Sequence, residues 1–310
     1  LTAANLNAAD ATERSNIITF FRQGDQIAAS PAAYWRLGDI FHSSPMSIGT
    51  PNALFYDQWD KASPKAFETF RSSHIRTSAN DAYHNRFMLV GANDGQLHAF
   101  KTGELGADGG GKELWSFIPP NQLRRLKLIY HTYGQHPLDK SRQYYVDGPT
   151  SAAEVWVRSG SPTDINNTTK TVSEWKTLLV TALGRGGTST LWSSSTSCDA
   201  DTSAGFSPYW TSTHSNYCGY YAFDASDTAD DTVDWPFLWR IGANAGLPED
   251  EGKYLGQAWS KMFLGRVRIN NIERWVGIIG GGYSGCGLAK GGTCALDGGN
   301  DTRGKGFYVI

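Results

Sequence analysis

Short apolar runs separated by turn residues recur along this chain, and their order repeats. Phe87 to Val90 is a continuous apolar run, which predicts a strand covered on both faces. Asn93-Asp94-Gly95 follows, residue types that tolerate the positive φ of a tight hairpin, and Leu97 and Ala99 then alternate with Gln96 and His98 in a second strand. Beyond a Gly-rich loop, Leu114, Trp115 and Phe117 mark a third. The same order returns in Trp175 to Gly184, Tyr217 to Ala225 and Phe237 to Ile241, and again in Arg274 to Tyr283 and Gly306 to Ile310. Another short strand precedes each set, in Leu37 to Ile48, Tyr145 to Val157 and Leu255 to Val267.

Four-stranded sheets repeated along a chain predict an all-β fold, a β-propeller whose blades bury their apolar faces on one another. Blade one occupies residues 36–118, blade two 144–241 and a partial blade three 255–310, within a propeller region of 31–310 built from quinoprotein-like repeats. The period is about 90 to 110 residues against about 40 to 45 for a compact blade, so the excess falls in long inserted loops and short helices. A ring typically closes with about 4 to 8 blades, whereas the chain holds about two and a half. The remaining blades are expected on further sequence or on another chain, and an open third blade would expose unpaired backbone.

The helical pattern is confined to the insertions. Residues 1–30 read as a leading helix and linker, with Asn7 or Asp10 as cap, Ile17, Ile18, Phe20 and Phe21 turned to a partner surface, and Gly24 as the stop. Ser63 to Arg76 reads as a second helix with Pro64 near its first turn and Ala66, Phe67, Phe70 and Ile75 as its apolar face, decorating the outside of the ring. Pro119 to Lys140, with Leu123, Leu126, Leu128 and Ile129 among basic residues, is a third insertion. Ser159 to Lys170 and Ser193 to Ser215 are polar loops.

Composition narrows the function classes. With 35 glycines and 11 Trp, 14 Tyr and 14 Phe among 310 residues, the chain suits many short strands joined by tight turns. A formal charge of -2 without a basic run gives no electrostatic case for nucleic acid. No apolar stretch approaches the ~20 residues of a membrane-spanning helix. Leu1 is not a natural start and no signal peptide is present, so the chain is expected to be a mature or excised piece.

Cys198 and Cys218 bracket one insertion, and Cys286 and Cys294 bracket a Gly-rich one at the equivalent place in the next blade. Four cysteines allow three connectivities; the sequential pairing closes both loops locally and is the one expected, which favours a secreted protein. Neither pair is CxxC and no histidine stands at zinc-ligand spacing.

Catalytic patterns are scarce. Gly184-Arg185-Gly186-Gly187 follows a strand but lacks the Lys-Ser/Thr of a phosphate-binding loop, and reads, like Gly280-Gly281-Gly282, as a strand-end turn. His42, His74, His84, His98, His131, His136 and His214 are scattered, and no GxSxG is present; His98 is expected to be a hydrogen-bonded histidine on a sheet face. The calcium-loop pattern D-x-[DN]-x-[DN]-G is absent, and Asp297, Asn300 and Asp301 are the best of the remaining oxygen-ligand candidates.

Six ordered blocks carry a resemblance: LGDIFHSSP (Leu37 to Pro45), NRFMLVGANDGQLHAF (Asn85 to Phe100), ELWSFIP (Glu113 to Pro119), YYVDGPT (Tyr144 to Thr150), WKTLLVTALGRGG (Trp175 to Gly187) and GIIGGGY (Gly277 to Tyr283). Together they resemble the C-terminal propeller of the type IV pilus tip-adhesin and biogenesis family, the PilC/PilY type. The resemblance implies a large secreted bacterial protein at the cell surface, outer membrane and pilus tip, tied to pilus assembly and retraction, adhesion and twitching motility. It also implies minor pilins and a host or abiotic surface as partners, and in some members a calcium ion in this propeller.

The expected role is therefore non-enzymatic, a propeller platform for protein binding, with Asp39 and Asp147 on the innermost strands accepting hydrogen bonds near the ring axis. Two alternatives stand beside it. One is a quinoprotein-type dehydrogenase holding pyrroloquinoline quinone and calcium, with Asp39 or Asp147 as its catalytic aspartate; the other is a generic outer-membrane scaffold subunit.

Overall fold

The computed structural model describes residues 1–23, 25–26, 34–35, 37–52, 56–77, 86–103, 110–132, 143–158, 160–189, 191–193, 206–207, 214–227, 235–242, 254–283 and 303–310. Blade one is the antiparallel sheet β1 (Met46–Ile48), β2 (Phe87–Gly91), β3 (Leu97–Lys101) and β4 (Glu113–Phe117), paired in that order. Blade two repeats it with β5 (Thr150–Trp156), β6 (Trp175–Ala182), β7 (Cys218–Asp224) and β8 (Phe237–Gly242). Among the described residues blade three has β9 (Phe263–Ile269), β10 (Ile272–Gly280) and β11 (Phe307–Val309). Each blade is a meander, as the repeated order of apolar runs predicts. Two small sheets lie apart from the blades: Asp25–Gln26 pairs with Tyr34–Trp35, and Leu191–Ser193 pairs with Phe206–Ser207 and His214–Asn216.

The hairpin in blade one forms where its turn residues stand. Gly95 has φ +98, and Ala92 N–H donates to Gln96 O across the turn at 2.9 Å.

The second strand of blade two carries apolar side chains on both of its faces. Leu179 points into a cluster with Phe87, Leu89, Leu97 and Ala99 of blade one. Its neighbours Leu178 and Val180 point the other way, into a cluster with Met262 and Ile279 of blade three. Successive side chains on a strand face opposite sides, so the middle blade is covered on both faces and each interface is a stack of buried apolar side chains. Trp115 and Phe117 of β4 extend the first interface onto Phe223, at ring centroid distances of 5.2 and 4.6 Å.

The first strand of each blade is shorter than its apolar run predicts. Leu37 to Pro45, 143–149 and 254–262 are not strands; pairing begins only at Met46, Thr150 and Phe263. Asp39 and Asp147 therefore lie ahead of the innermost strands rather than on them. The reason is the partner each segment finds: these lead-in stretches spend their backbone groups on the turn that ends their own blade's second strand, as Asp39 O does on Asn93 N–H, Asp147 N–H on Leu183 O and Gln257 N–H on Tyr283 O, and on the neighbouring blade, as Val146 N–H does on Ala92 O.

The insertions also differ from expectation. α1 (Ala11–Gln23) is capped by Asp10, whose Oδ1 accepts the N–H of Glu13 at 2.8 Å, while Asn7 ends a preceding short turn at φ 53. Ile17 is buried with Leu6, Leu123 and Leu126, so α1 lies on α3 (Leu126–Thr132); Leu128 instead faces outward at 43% exposure. Gly24 lies outside the described residues.

α2 (Ala66–Ser73) buries Ala66, Phe67 and Phe70 against Trp156 and Trp175 of blade two; Ile75 falls beyond the helix and is 52% exposed. This helix, inserted in blade one, is thus a clamp on blade two and not a peripheral decoration. Buried Asp60 anchors it, accepting the N–H groups of Ala62, Ala66 and Lys170 at 2.8, 2.9 and 3.0 Å. The polar loop after blade two's first strand does the same for blade three. Ile165 N–H donates to Asn271 O at 2.7 Å, and the buried ammonium of Lys170 meets Glu273 at 2.8 Å over the rings of Trp156 and Trp175.

Candidate functional site

The lead-in segments of the three blades converge at one end of the sheet stack, and each is tied to the turn that ends a second strand. Asn93 N–H donates to Asp39 O at 2.9 Å within blade one, and Tyr145 N–H donates to Asn93 Oδ1 at 3.1 Å, linking blades one and two. Gly184 N–H donates to Ala258 O at 3.0 Å, linking blades two and three. The backbones approach so closely that side chains are excluded: a Cβ on Gly186 would stand 1.6 Å from Tyr145 O. The run Gly184–Ser189 is accordingly a tight 3-10 turn closing the strand, as its sequence predicts, and its glycines serve packing rather than phosphate binding.

At the convergence, Asp147 is fully buried and accepts two bonds from His42 of blade one. The backbone N–H donates to Oδ1 at 3.2 Å and the ring Nδ1–H to Oδ2 at 2.5 Å. His42 is the hub of an aromatic group: Phe41 lies at 4.3 Å between centroids, Trp259 edge-on at 5.0 Å and Tyr144 at 5.7 Å. The guanidinium of Arg185 stands 4.6 Å over the Tyr144 ring. Trp259 Nε1–H donates to Oε1 of buried Gln257 at 2.7 Å. Blade one gives Phe41 and His42, blade two gives Tyr144, Asp147 and Arg185, and blade three gives Gln257 and Trp259. Phe41 remains 53% exposed and Ile40 beside it 40% exposed, so the group presents an apolar face to solvent.

Beneath this face lies a polar scaffold. Arg125 donates through Nη1 to Gln122 Oε1 and Tyr144 O at 2.6 and 2.8 Å, with its guanidinium 4.0 Å over the Tyr145 ring; burial pulls its pKa down to about 10. Gln122 Nε2–H donates to Gly186 O at 3.0 Å, fixing the turn that carries Arg185.

Of the residues singled out in the sequence, Asp147 stands in this group. Asp39 is next to it, with Oδ2 accepting from Asn93 Nδ2 at 3.2 Å. Cys218 is buried and disulfide-bonded; Cys198, Cys286 and Cys294 lie outside the described residues, as do Asp297, Asn300 and Asp301. Among the described residues no group of three or more His, Cys, Asp or Glu is placed to hold a metal ion. His98 is hydrogen-bonded on the sheet: its ring nitrogens meet Asp94 Oδ2 at 2.9 Å and Glu113 Oε1 at 2.6 Å. Burial alone would lower its pKa, but the two carboxylates override that and raise it to about 9.

From the sequence His42 reads as one of several scattered histidines and Arg185 as part of a strand-end turn, while Tyr144, Gln257 and Trp259 carry no site expectation. A signal was present: His42, Asp147 and Trp259 each stand about one turn of chain ahead of their blade's first strand, so superposing the three lead-in segments brings them together.

The family model of the PilY1 β-propeller domain matches residues 37–215. The chain belongs to the PilY1 β-propeller family. The span matched by the PilY1 model takes in β1 to β6 and with them His42, Tyr144, Asp147 and Arg185, whereas Gln257 and Trp259 lie beyond it. Among full-length relatives, a type IV pilus biogenesis factor PilY1 homolog of Xylella fastidiosa is 32% identical over 49% of this chain and 10% of its own length. The type IV pilus biogenesis factor PilY1 of Pseudomonas aeruginosa is 27% identical over 80% of this chain and 15% of its own. The chain therefore spans only about a tenth to a seventh of those proteins. The crystal structure of the Pseudomonas aeruginosa PilY1 C-terminal domain aligns at 22% identity and a TM-score of 0.39, covering 77% of this chain and 32% of that one.

Proposed function

We propose that the chain is part of a type IV pilus biogenesis protein, and that its propeller is a non-enzymatic platform on which a protein of the pilus assembly docks. Family membership supports the pilus role, since the relatives bear that name. The observation that carries the platform role is the solvent-facing aromatic group built from all three blades, with Phe41 and Ile40 exposed at its surface. Large exposed apolar side chains held rigidly are what protein interfaces use as anchors. The docking partners in this reading are minor pilins at the pilus tip, and the protein acts at the outer surface of a bacterium in pilus assembly, adhesion and twitching. Pairing of Cys198 with Cys218 and of Cys286 with Cys294 belongs to the same reading, as does calcium at Asp297, Asn300 and Asp301. Among the described residues, no helix is long and apolar enough to cross a membrane.

The test is genetic. In the source bacterium, Phe41→Ala placed in the full-length gene is expected to reduce surface pili and twitching at unchanged protein level. Wild-type piliation from that strain would overturn the platform role of this face.

A further inference from the structure

Blades one and three are not neighbours in the stack, yet they touch at both of its ends. At the lead-in end the contact is His42 on Trp259. The other end is marked by Trp156, the last residue of β5, which is buried beneath α2. There the chain between β1 and β2 leaves blade one, lies over Trp156 and Trp175 of blade two, and reaches blade three. Its turn Tyr56–Trp59 stands against Arg266 of β9 and Trp275 of β10. The Arg266 guanidinium lies 4.3 Å over the Trp59 ring and 5.6 Å over that of Tyr56. It donates through Nη1 to Tyr56 O at 3.5 Å and through Nη2 to Gln58 Oε1 at 3.4 Å, while the Tyr56 ring meets Trp275 edge-on at 4.8 Å.

The same insertion holds blade two by a different kind of bond. Lys61 N–H donates to Thr168 O at 2.9 Å and Asp60 Oδ1 accepts the Lys170 N–H at 3.0 Å, so the loop 160–170 is fixed to the insertion through its backbone. That loop in turn holds Asn271 and Glu273 of blade three. The grip on blade two is thus made of backbone bonds and the buried rings of α2. The direct grip on blade three rests on side-chain contacts, with bonds longer than the roughly 2.7 to 3.2 Å usual for N–H···O and a cation over a ring. Among the described residues the insertion makes no strand pairing with β9 or β10.

We propose that the Tyr56–Lys61 segment is a latch by which blade one locks the far end of blade three across blade two. Its hold on blade three is the weaker of the two, so that is where it opens, and α2 stays on blade two. Opening loosens Arg266 to Val276 and, through Lys61 and Asp60, the loop 160–170, while the sheet of blade one keeps its pairing. It also uncovers the rings of Trp175 and Trp275, 6.0 Å apart, and the buried Lys170–Glu273 pair, which the closed latch keeps from solvent. The latch is independent of what the aromatic face at the lead-in end binds.

Hydrogen exchange followed by mass spectrometry on the full chain tests it, because local opening is read segment by segment. In Trp59→Ala, peptides covering 163–170 and 266–276 are expected to exchange at least about fivefold faster than in the wild type, and those covering β2 and β3 at the wild-type rate. Arg266→Gln takes the guanidinium from the same contact on the blade-three side and is expected to give the same pattern, and it carries the test where Trp59→Ala does not fold. A rise confined to 56–73, a rise of equal size in β2 and β3, or unchanged exchange at 266–276 would overturn the latch.

Discussion

Asp147 of blade two accepts both the backbone N–H and the ring Nδ1–H of His42, a residue 105 positions earlier in the chain. The contact joins the lead-in segments of adjacent blades and sets the ring on which Phe41, Tyr144 and Trp259 assemble. Asp147→Ala removes the acceptor of both donors, and because the half-open His42 side chain can turn to water the expected loss of stability is about 1 kcal/mol. Asp147→Asn keeps an oxygen for the backbone N–H and is expected to cost less. Urea denaturation of the three proteins measures both; an Ala variant as stable as wild type would contradict the structural role of this carboxylate.

Gly186 has a steric role that no side chain can share. With Tyr145 O at 1.6 Å from the position of an added Cβ, Gly186→Ala forces the 3-10 turn and the lead-in of blade two apart. The expected loss exceeds about 3 kcal/mol, among the larger effects of a single substitution. Gly160→Ala, whose Cβ would meet only the end of the Arg158 side chain at 3.7 Å, is the matched control and is expected to be nearly neutral. Thermal unfolding separates the two.

Lys170 and Glu273 form a buried pair between the inserted loop of blade two and the second strand of blade three. Burial, the largest influence, lowers the Lys170 pKa, and the Glu273 carboxylate opposes it. Lys170→Met would leave the buried Glu273 carboxylate only Arg266 at 3.9 Å and the Trp275 Nε1–H at 3.2 Å and is expected to cost about 3 kcal/mol, whereas Lys170→Met with Glu273→Leu replaces the pair by apolar groups and is expected to recover part of the loss. A double variant no more stable than the single one would show that the pair is not coupled in this way.

His98 predicts a pH dependence. Its pKa is raised from 6.5 to about 9 by Asp94 and Glu113 against the opposing effect of burial. A group whose folded pKa lies above its unfolded one stabilises fully below the unfolded value and loses that contribution as pH rises through the folded value. Stability should thus fall by about 3 kcal/mol between pH 6.5 and 9 relative to His98→Gln, at about 1.36 kcal/mol for each unit of the shift. Parallel profiles for the two proteins would contradict the protonated-histidine assignment.

The blades were legible because their signal is local. Alternation at Leu97 and Ala99, the unbroken run Phe87 to Val90 in β2 and the turn at Asn93-Asp94-Gly95 each need only neighbouring residues to be read. The lead-in segments misled because LGDIFHSSP and LGQAWSK carry apolar residues at strand-like density, yet their backbones bond to isolated groups of the turns that end second strands, Asp39 O to Asn93 N–H and Ala258 O to Gly184 N–H, and not to a ladder. Likewise Ser159 to Lys170 has the composition of a solvated loop, and only the distant Glu273 explains its buried lysine. The face formed by His42, Tyr144 and Trp259 was hidden for the same reason: its members meet through the ring, not along the chain.

The central claim is that this face holds a pilus protein, and retention of purified minor pilins from the source bacterium on the immobilised chain, folded under oxidising conditions, tests it most directly. The account predicts that minor pilins are retained by the wild-type chain and by Leu128→Ala and are lost on Phe41→Ala. Undiminished retention on Phe41→Ala, or none on the folded wild-type chain, would contradict it.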